Sequence, residues 1–128
     1  MDPARLDGMP LFAELELEER AEVATCLREV TEEAGATLAT QGDNAYELFV
    51  IDAGEAEVRK GGETIATLRA GDVFGEIGLL VTGTRTASVV ATTPVRLVAL
   101  FSREFKQLER GMPALAATLR ERVARTSL

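Results

Sequence analysis

The residues whose types and spacing carry chemistry lie in one stretch, 74–88, which reads FGEIGLLVTGTRTAS. Gly75 and Gly78 lack a Cβ and let the backbone approach a bound group closely. Residues 76–80 are long enough for one short helical turn, which brings in Glu76 and Ile77. The first amides of such a turn point outward without an intrahelical partner and form an anion site. Arg85 adds a planar, permanently charged fork suited to a phosphate, with the hydroxyl of Thr86 beside it. Glu76 is out of place near a phosphate unless it accepts hydrogen bonds from sugar hydroxyls. Amides, an arginine and a carboxylate acceptor together point to a nucleotide. Each residue also has a plainer role: Arg85 on the surface, Glu76 as a helix-start acid favoured by the dipole, Thr86 as an ordinary strand residue. Phe74, Leu79 and Val89 fit a core better than a purine contact.

The elements that must position these groups are mostly strands. Residues 68–73 read as a strand running into a turn at Gly71-Asp72, and 87–91 form a β-branched run on the far side. From 36 to 101 short β-favouring runs alternate with glycine and aspartate: 36–40, 45–51, Ala56–Lys60, 64–68, 86–91 and Val95–Phe101. Lys60-Gly61-Gly62-Glu63 predicts a hairpin turn with both glycines at positive φ. Many short strands at close spacing indicate an all-β sandwich or barrel, with a jelly roll expected. Before it, Met9-Pro10-Leu11-Phe12 forms an apolar anchor. Residues 17–30 follow as a helix on the spacing of Leu17, Ala21, Ala24, Leu27 and Arg28, and Gly35 ends the helical region. After Phe101 the helical period returns. Ser102 is the expected N-cap of 103–110, and Gly111 separates it from a second helix beginning at Met112 or Pro113. Met112, Leu115, Ala116, Leu119 and Val123 share one face of that helix and are expected to pack as core. The chain reads as one domain, 1–128: helical 1–34, β-barrel 35–101, C-terminal helices 102–125.

These motifs resemble the cyclic nucleotide-binding domains of bacterial transcription regulators, kinase regulatory subunits and gated ion channels. The resemblance rests on Phe74-Gly75-Glu76-Ile77-Gly78-Leu79-Leu80 followed by Arg85-Thr86-Ala87. Upstream it is supported by Gln41-Gly42-Asp43, by Leu48-Phe49-Val50-Ile51 ending at Gly54, and by Gly71-Asp72. It spans about Leu11 to Leu119. Two positions depart from the family pattern: Gly78 replaces the usual alanine, and Thr84 a frequent proline. The resemblance implies that cyclic AMP or cyclic GMP binds with its phosphate on Gly75–Gly78, Arg85 and Thr86 and its ribose on Glu76. Thr86 is compatible with guanine, while the family's general habit favours cyclic AMP. It further implies that the last helix closes over the base as a lid, placing Arg120, Arg122 and Arg125 near base or solvent, and that flanking helices move when ligand binds. Phe74, Val89, Arg122 and Arg125 are the possible base contacts.

The rest of the composition narrows the function class. The chain has 128 residues, enough for one modest core. No apolar run approaches the roughly 20 residues of a membrane span, and the first residues lack a signal-peptide pattern, so a cytoplasmic protein is expected. Cys26 is the only cysteine, which excludes an internal disulfide; it is expected to be a buried core thiol. The absence of histidine argues against metal and acid–base chemistry, so neither catalytic nor metal-ligating residues are assigned and no cofactor is expected beyond the nucleotide. A net charge of -7 argues against a nucleic-acid partner or an anionic membrane. Ten acids against three arginines in residues 1–35, and six bases against three acids in 101–128, make two ends of opposite sign. They are either two solvated surfaces or mutually attracting ends.

The expected function is a cyclic nucleotide sensor reporting through its flanking helices to an effector that the sequence leaves open. The alternative is the same fold without ligand, serving as a protein interaction domain. A metal-dependent barrel enzyme fails for want of ligands.

Overall fold

The computed structural model describes residues 1–45, 47–75 and 84–126. A 3-10 helix (Pro3–Gly8) and two helices, α1 (Pro10–Ala13) and α2 (Leu17–Thr25), precede the strands. The strands are β1 (Leu27–Glu32), β2 (Thr37–Ala39), β3 (Glu47–Ala53), β4 (Ala56–Lys60), β5 (Glu63–Leu68), β6 (Val73–Phe74), β7 (Ser88–Ala91) and β8 (Val95–Phe101). Two helices close the chain, α3 (Ser102–Gly111) and α4 (Pro113–Thr126). The strands form two four-stranded sheets of order β1-β8-β3-β6 and β2-β7-β4-β5, and every pairing is antiparallel. Two antiparallel sheets with flanking helices are the architecture expected for a jelly roll.

The first sheet is covered on both faces, which explains the unbroken apolar run at Leu48-Phe49-Val50-Ile51. Successive side chains of a strand point to opposite faces. Phe49 and Ile51 join residues of both sheets, among them Ala56, Leu68, Val89 and Leu97, in one cluster. Leu48 and Val50 join a second cluster with Leu11, Phe12, Leu119 and Val123 of the helices. A strand buried on both faces reads as continuous hydrophobicity. The expected anchor holds: Met9, Leu11 and Phe12 are buried. So does the stripe of α4, with Leu115, Ala116, Leu119 and Val123 buried and Met112 partly so. At the hairpin, Gly61 and Gly62 have φ of 59° and 84°, and Lys60 pairs with Glu63, as a two-residue turn with two positive-φ positions requires.

The helix expected over 17–30 ends at Thr25, and Leu27–Glu32 is instead an edge strand of the first sheet. Every residue of it has a register partner in β8, from Leu27↔Leu100 to Glu32↔Val95. Those ladder bonds satisfy the backbone, while the expected helical stripe is not a buried face: Leu17 is 72% exposed and Ala21 and Arg28 are exposed, with only Ala24 and Leu27 of it buried. The sheet region therefore begins at Leu27 rather than at 35, and Gly35 follows a strand. Cys26, at the C-cap of α2, is half-buried against the helical-side cluster rather than fully inside it. Burial pushes its thiol pKa up; the Glu104 and Glu22 carboxylates add to the rise against a lowering hydrogen bond from Thr25. Ser102 is the first residue of α3, not its N-cap, which is Phe101 with no capping side-chain bond. Pro113 opens α4, where a missing N–H costs nothing.

The two ends meet in ion pairs: Arg122 Nη1 with Glu14 Oε2 at 3.0 Å, and Arg28 Nη2 with Glu104 Oε1 at 3.4 Å. The 3-10 helix is tied to the sheet by Arg5, which donates to Glu29 and, at 2.5 Å, to Asp52; Asp52 also accepts from Arg96 at 2.7 Å. Among the described residues no helix is long and apolar enough to cross a membrane.

Candidate functional site

The site is built on the first sheet and the loop before β3. Phe74 of β6 pairs with Phe49 of β3, and the two rings stack with centroids 5.0 Å apart. Gly75 follows at φ 88°, a conformation open to glycine. On the far side, Arg85 precedes β7 and is held by its own backbone. Its N–H donates to Asp43 O at 2.8 Å, and Gly42 N–H donates to its carbonyl at 2.9 Å. An isolated bridge between Asn44 and Thr84 continues this pairing. The Gln41-Gly42-Asp43 segment is thus a clamp for Arg85. Gln41 adds two ties, its N–H donating to Ser88 Oγ at 2.9 Å and its Oε1 accepting from Gly61 N–H at 3.1 Å.

The clamp delivers the Arg85 side chain into the fold, where it is the buried charged residue among those described, at 7% exposure. Its guanidinium lies 5.7 Å from the centroid of the Phe49 ring, a cation–π contact. Nη2 donates to Glu47 Oε1 at 3.0 Å. Nη1 is buried and has no hydrogen-bond partner among the described residues. It fills the space beside Gly75: a Cβ built there would lie 2.1 Å from Nη1. A buried, ionised donor without an acceptor is costly, by about 1–3 kcal/mol or more, and calls for one. Next to it is a pocket of about 160 Å³ whose lining includes Thr37, Thr40, Asp43, Asn44, Glu47 and Arg85.

The other expected site residues divide clearly. Thr86 is exposed directly after Arg85. Phe74 and Val89 are buried in the cluster shared by both sheets, as core residues. Glu76, Ile77 and Gly78, with Leu79, lie outside the described residues. Arg122 and Arg125 line a groove between α1 and α4 with Pro10, Leu11 and Glu14, a different surface from the Arg85 pocket. Arg125 pairs with Glu121, and Arg120 with Glu109 at 2.8 Å while lying over the Phe105 ring. Glu47 was not singled out by the sequence. Its signal was an acid opening a strand otherwise apolar through Ile51, a position that needs a cation nearby.

Two antiparallel sheets, flanking helices and one buried arginine beside Gly75 define a β domain with a single buried charged side chain among its described residues. The chain belongs to the cyclic nucleotide-binding domain family, whose model matches residues 29–110. It is 36% identical over 110 residues to the cAMP-dependent protein kinase regulatory subunit of Aspergillus niger, covering 84% of this chain and 27% of that one. It is 37% identical over 95 residues to the cGMP-dependent protein kinase egl-4 of Caenorhabditis briggsae, covering 74% of this chain and 13% of the kinase. A solved cyclic nucleotide-binding domain from Methylobacillus flagellatus superposes with a TM-score of 0.84 at 27% identity, over 96% of this chain and 72% of that one. The chain therefore spans about a quarter, 27%, of the length of the regulatory subunit it matches.

Proposed function

We propose that this domain is a regulatory, non-catalytic sensor that binds cyclic AMP or cyclic GMP and needs no further cofactor. The observation that carries this is Arg85: a buried guanidinium with Nη1 lacking an acceptor among the described residues, set against Gly75. A phosphate oxygen completes that donor with a charge-assisted hydrogen bond. The amides of Gly75, Ile77 and Gly78 and the Thr86 hydroxyl supply further donors, and Glu76 accepts from the ribose 2′-hydroxyl. The kinship to cAMP- and cGMP-dependent kinase chains supports the ligand class and leaves the base open between the two. Occupancy shifts the population of helix arrangements, and an effector, in the same polypeptide or a separate one, responds to that shift.

Calorimetric titration with both nucleotides, on the wild type, Arg85→Ala and Glu76→Ala, tests this. Saturable binding that weakens in each variant supports it, the loss at Arg85 being about 2–5 kcal/mol. A second reading, a ligand-free interaction domain, draws on the Glu47 carboxylate that already neutralises Arg85. It predicts no heat with either nucleotide and no thermal shift, since only a ligand that prefers the native state raises its stability.

A further inference from the structure

Glu47 stands at the start of β3, where packing is supplied by the four apolar residues after it. Its carboxylate nevertheless turns to the buried end of Arg85, with the two side chains 23% and 5% exposed. Ion-paired in this way, Arg85 presents a neutral unit, not a free cation. The other charged group in the pocket lining, among the described residues, is Asp43, again a carboxylate. An anion arriving at Nη1 must therefore share Arg85 with Glu47. With Glu47 already balancing Arg85, one arriving negative charge leaves this trio of groups at a net -1 and a second leaves it at -2, with only the Asp43 carboxylate as a further charge among the described lining groups.

We propose that Glu47 is the charge-selecting residue of this site. By keeping Arg85 partly neutralised, it lets the pocket take a singly charged phosphodiester and turn away the doubly charged phosphomonoester of the same nucleoside. Hydrolysis of a cyclic phosphate adds water across one P–O ester bond and yields such a monoester, freeing one sugar hydroxyl and leaving the base unchanged. Recognition of the base and the 2′-hydroxyl is common to the two compounds; charge at the phosphate differs between them. Glu47 thereby makes the domain blind to the product of the reaction that destroys its ligand. The inference rests on the nucleotide-binding function proposed above.

The test is calorimetry on the full chain at about pH 8, where a phosphomonoester carries its second charge. The ligands are cyclic AMP, 5′-AMP and adenosine 5′-methylphosphate, an open-chain diester with one charge, with the guanosine counterparts alongside. The wild type is expected to take the methyl diester about tenfold more tightly than 5′-AMP, although a lone arginine would favour the dianion. In Glu47→Gln, whose amide oxygen still accepts from Nη2, affinity for 5′-AMP should rise about tenfold more than affinity for the diester. A wild type that prefers 5′-AMP or treats both alike overturns the inference, and so does an unchanged ratio in folded Glu47→Gln. The wild-type comparison needs no variant and stands alone should Glu47→Gln fail to fold. A wild type that takes neither cyclic AMP nor cyclic GMP overturns the binding function itself, whereas binding without charge discrimination removes only the role of Glu47.

Discussion

Nη1 of Arg85 occupies the space in which a side chain at Gly75 would begin. An added Cβ would stand 2.1 Å from Nη1 and 3.1 Å from the Glu47 carbonyl oxygen, and Gly75 has a φ of 88°. The glycine is thus required twice, by its backbone conformation and by the guanidinium beside it. Gly75→Ala should cost about 1–2 kcal/mol for the left-handed backbone alone. The arginine must also leave its place over Phe49. Cyclic nucleotide affinity should fall at least about tenfold, roughly 1.4 kcal/mol. Urea unfolding and calorimetry on the same preparation separate the two effects; a variant with wild-type affinity would mean that Arg85 binds from another position.

The helical side is held by packing, and α4 depends on Leu119, which is 1% exposed. It shares its cluster with Leu11, Phe12 and Phe105. Leu119→Ala should destabilise the domain by about 3 kcal/mol, through lost burial and the cavity left behind. Leu17→Ala, at a residue 72% exposed, should change stability by less than about 0.5 kcal/mol. Were α2 to run on to residue 30 with Leu17 on its buried face, both substitutions would be severe. Urea denaturation midpoints of the two variants decide it.

That contrast marks where the sequence was legible. Ala56–Lys60 and Val95–Phe101 have the bounds their β-branched patterns predict, and the Gly61-Gly62 turn follows from local chemistry. β1 escaped because Leu17, Ala21, Ala24 and Leu27 happen to recur at helical spacing, while its partner, β8, lies far along the chain. Arg85 was found because its neighbours form a motif. Glu47 was not, because its role depends on a side chain reaching across the site from another strand to a residue 38 positions away. The Gln41-Gly42-Asp43 segment is legible as a pattern, but its task of clamping the Arg85 backbone follows only from the fold.

The raised Cys26 pKa predicts slow chemistry at neutral pH. The thiolate is the nucleophile, and burial, with Glu104 and Glu22 nearby, disfavours it. Iodoacetamide at about pH 8 should alkylate the native chain more slowly than the urea-unfolded chain. The folded state holds the thiol proton more tightly than the unfolded state, so this contribution is fully present below the ordinary thiol pKa. It is lost as pH climbs through the higher folded value. Cys26→Ser should flatten that alkaline decline in stability, and equal alkylation rates in native and unfolded chains would contradict the environment described.

The last helix carries the sharpest test of how the site and the helices are connected. Arg122 is paired with Glu14 at 3.0 Å and Arg125 with Glu121, both in the groove by α1 rather than at the Arg85 pocket. In this arrangement both arginines lie away from the Arg85 pocket, because α4 presents its apolar face to Leu11 and Phe12 and is anchored there by Leu119 and Val123. Arg122→Ala and Arg125→Ala should therefore leave cyclic nucleotide affinity within about twofold of wild type, and Arg122→Ala should lower stability by less than about 1 kcal/mol, as for an exposed ion pair. A tenfold loss of affinity in either variant would require α4 to leave α1 on binding and carry the arginine to the base. Arg122→Ala also removes the Glu14 tie. If release of α4 accompanies binding, that variant should bind more tightly, because the pairing it lacks no longer opposes the bound arrangement. Calorimetry on the two single variants distinguishes a fixed helix from a mobile one: equal affinities mean a fixed α4, a loss in Arg125→Ala a contact made by a moved α4, and a gain confined to Arg122→Ala a helix held back by Glu14.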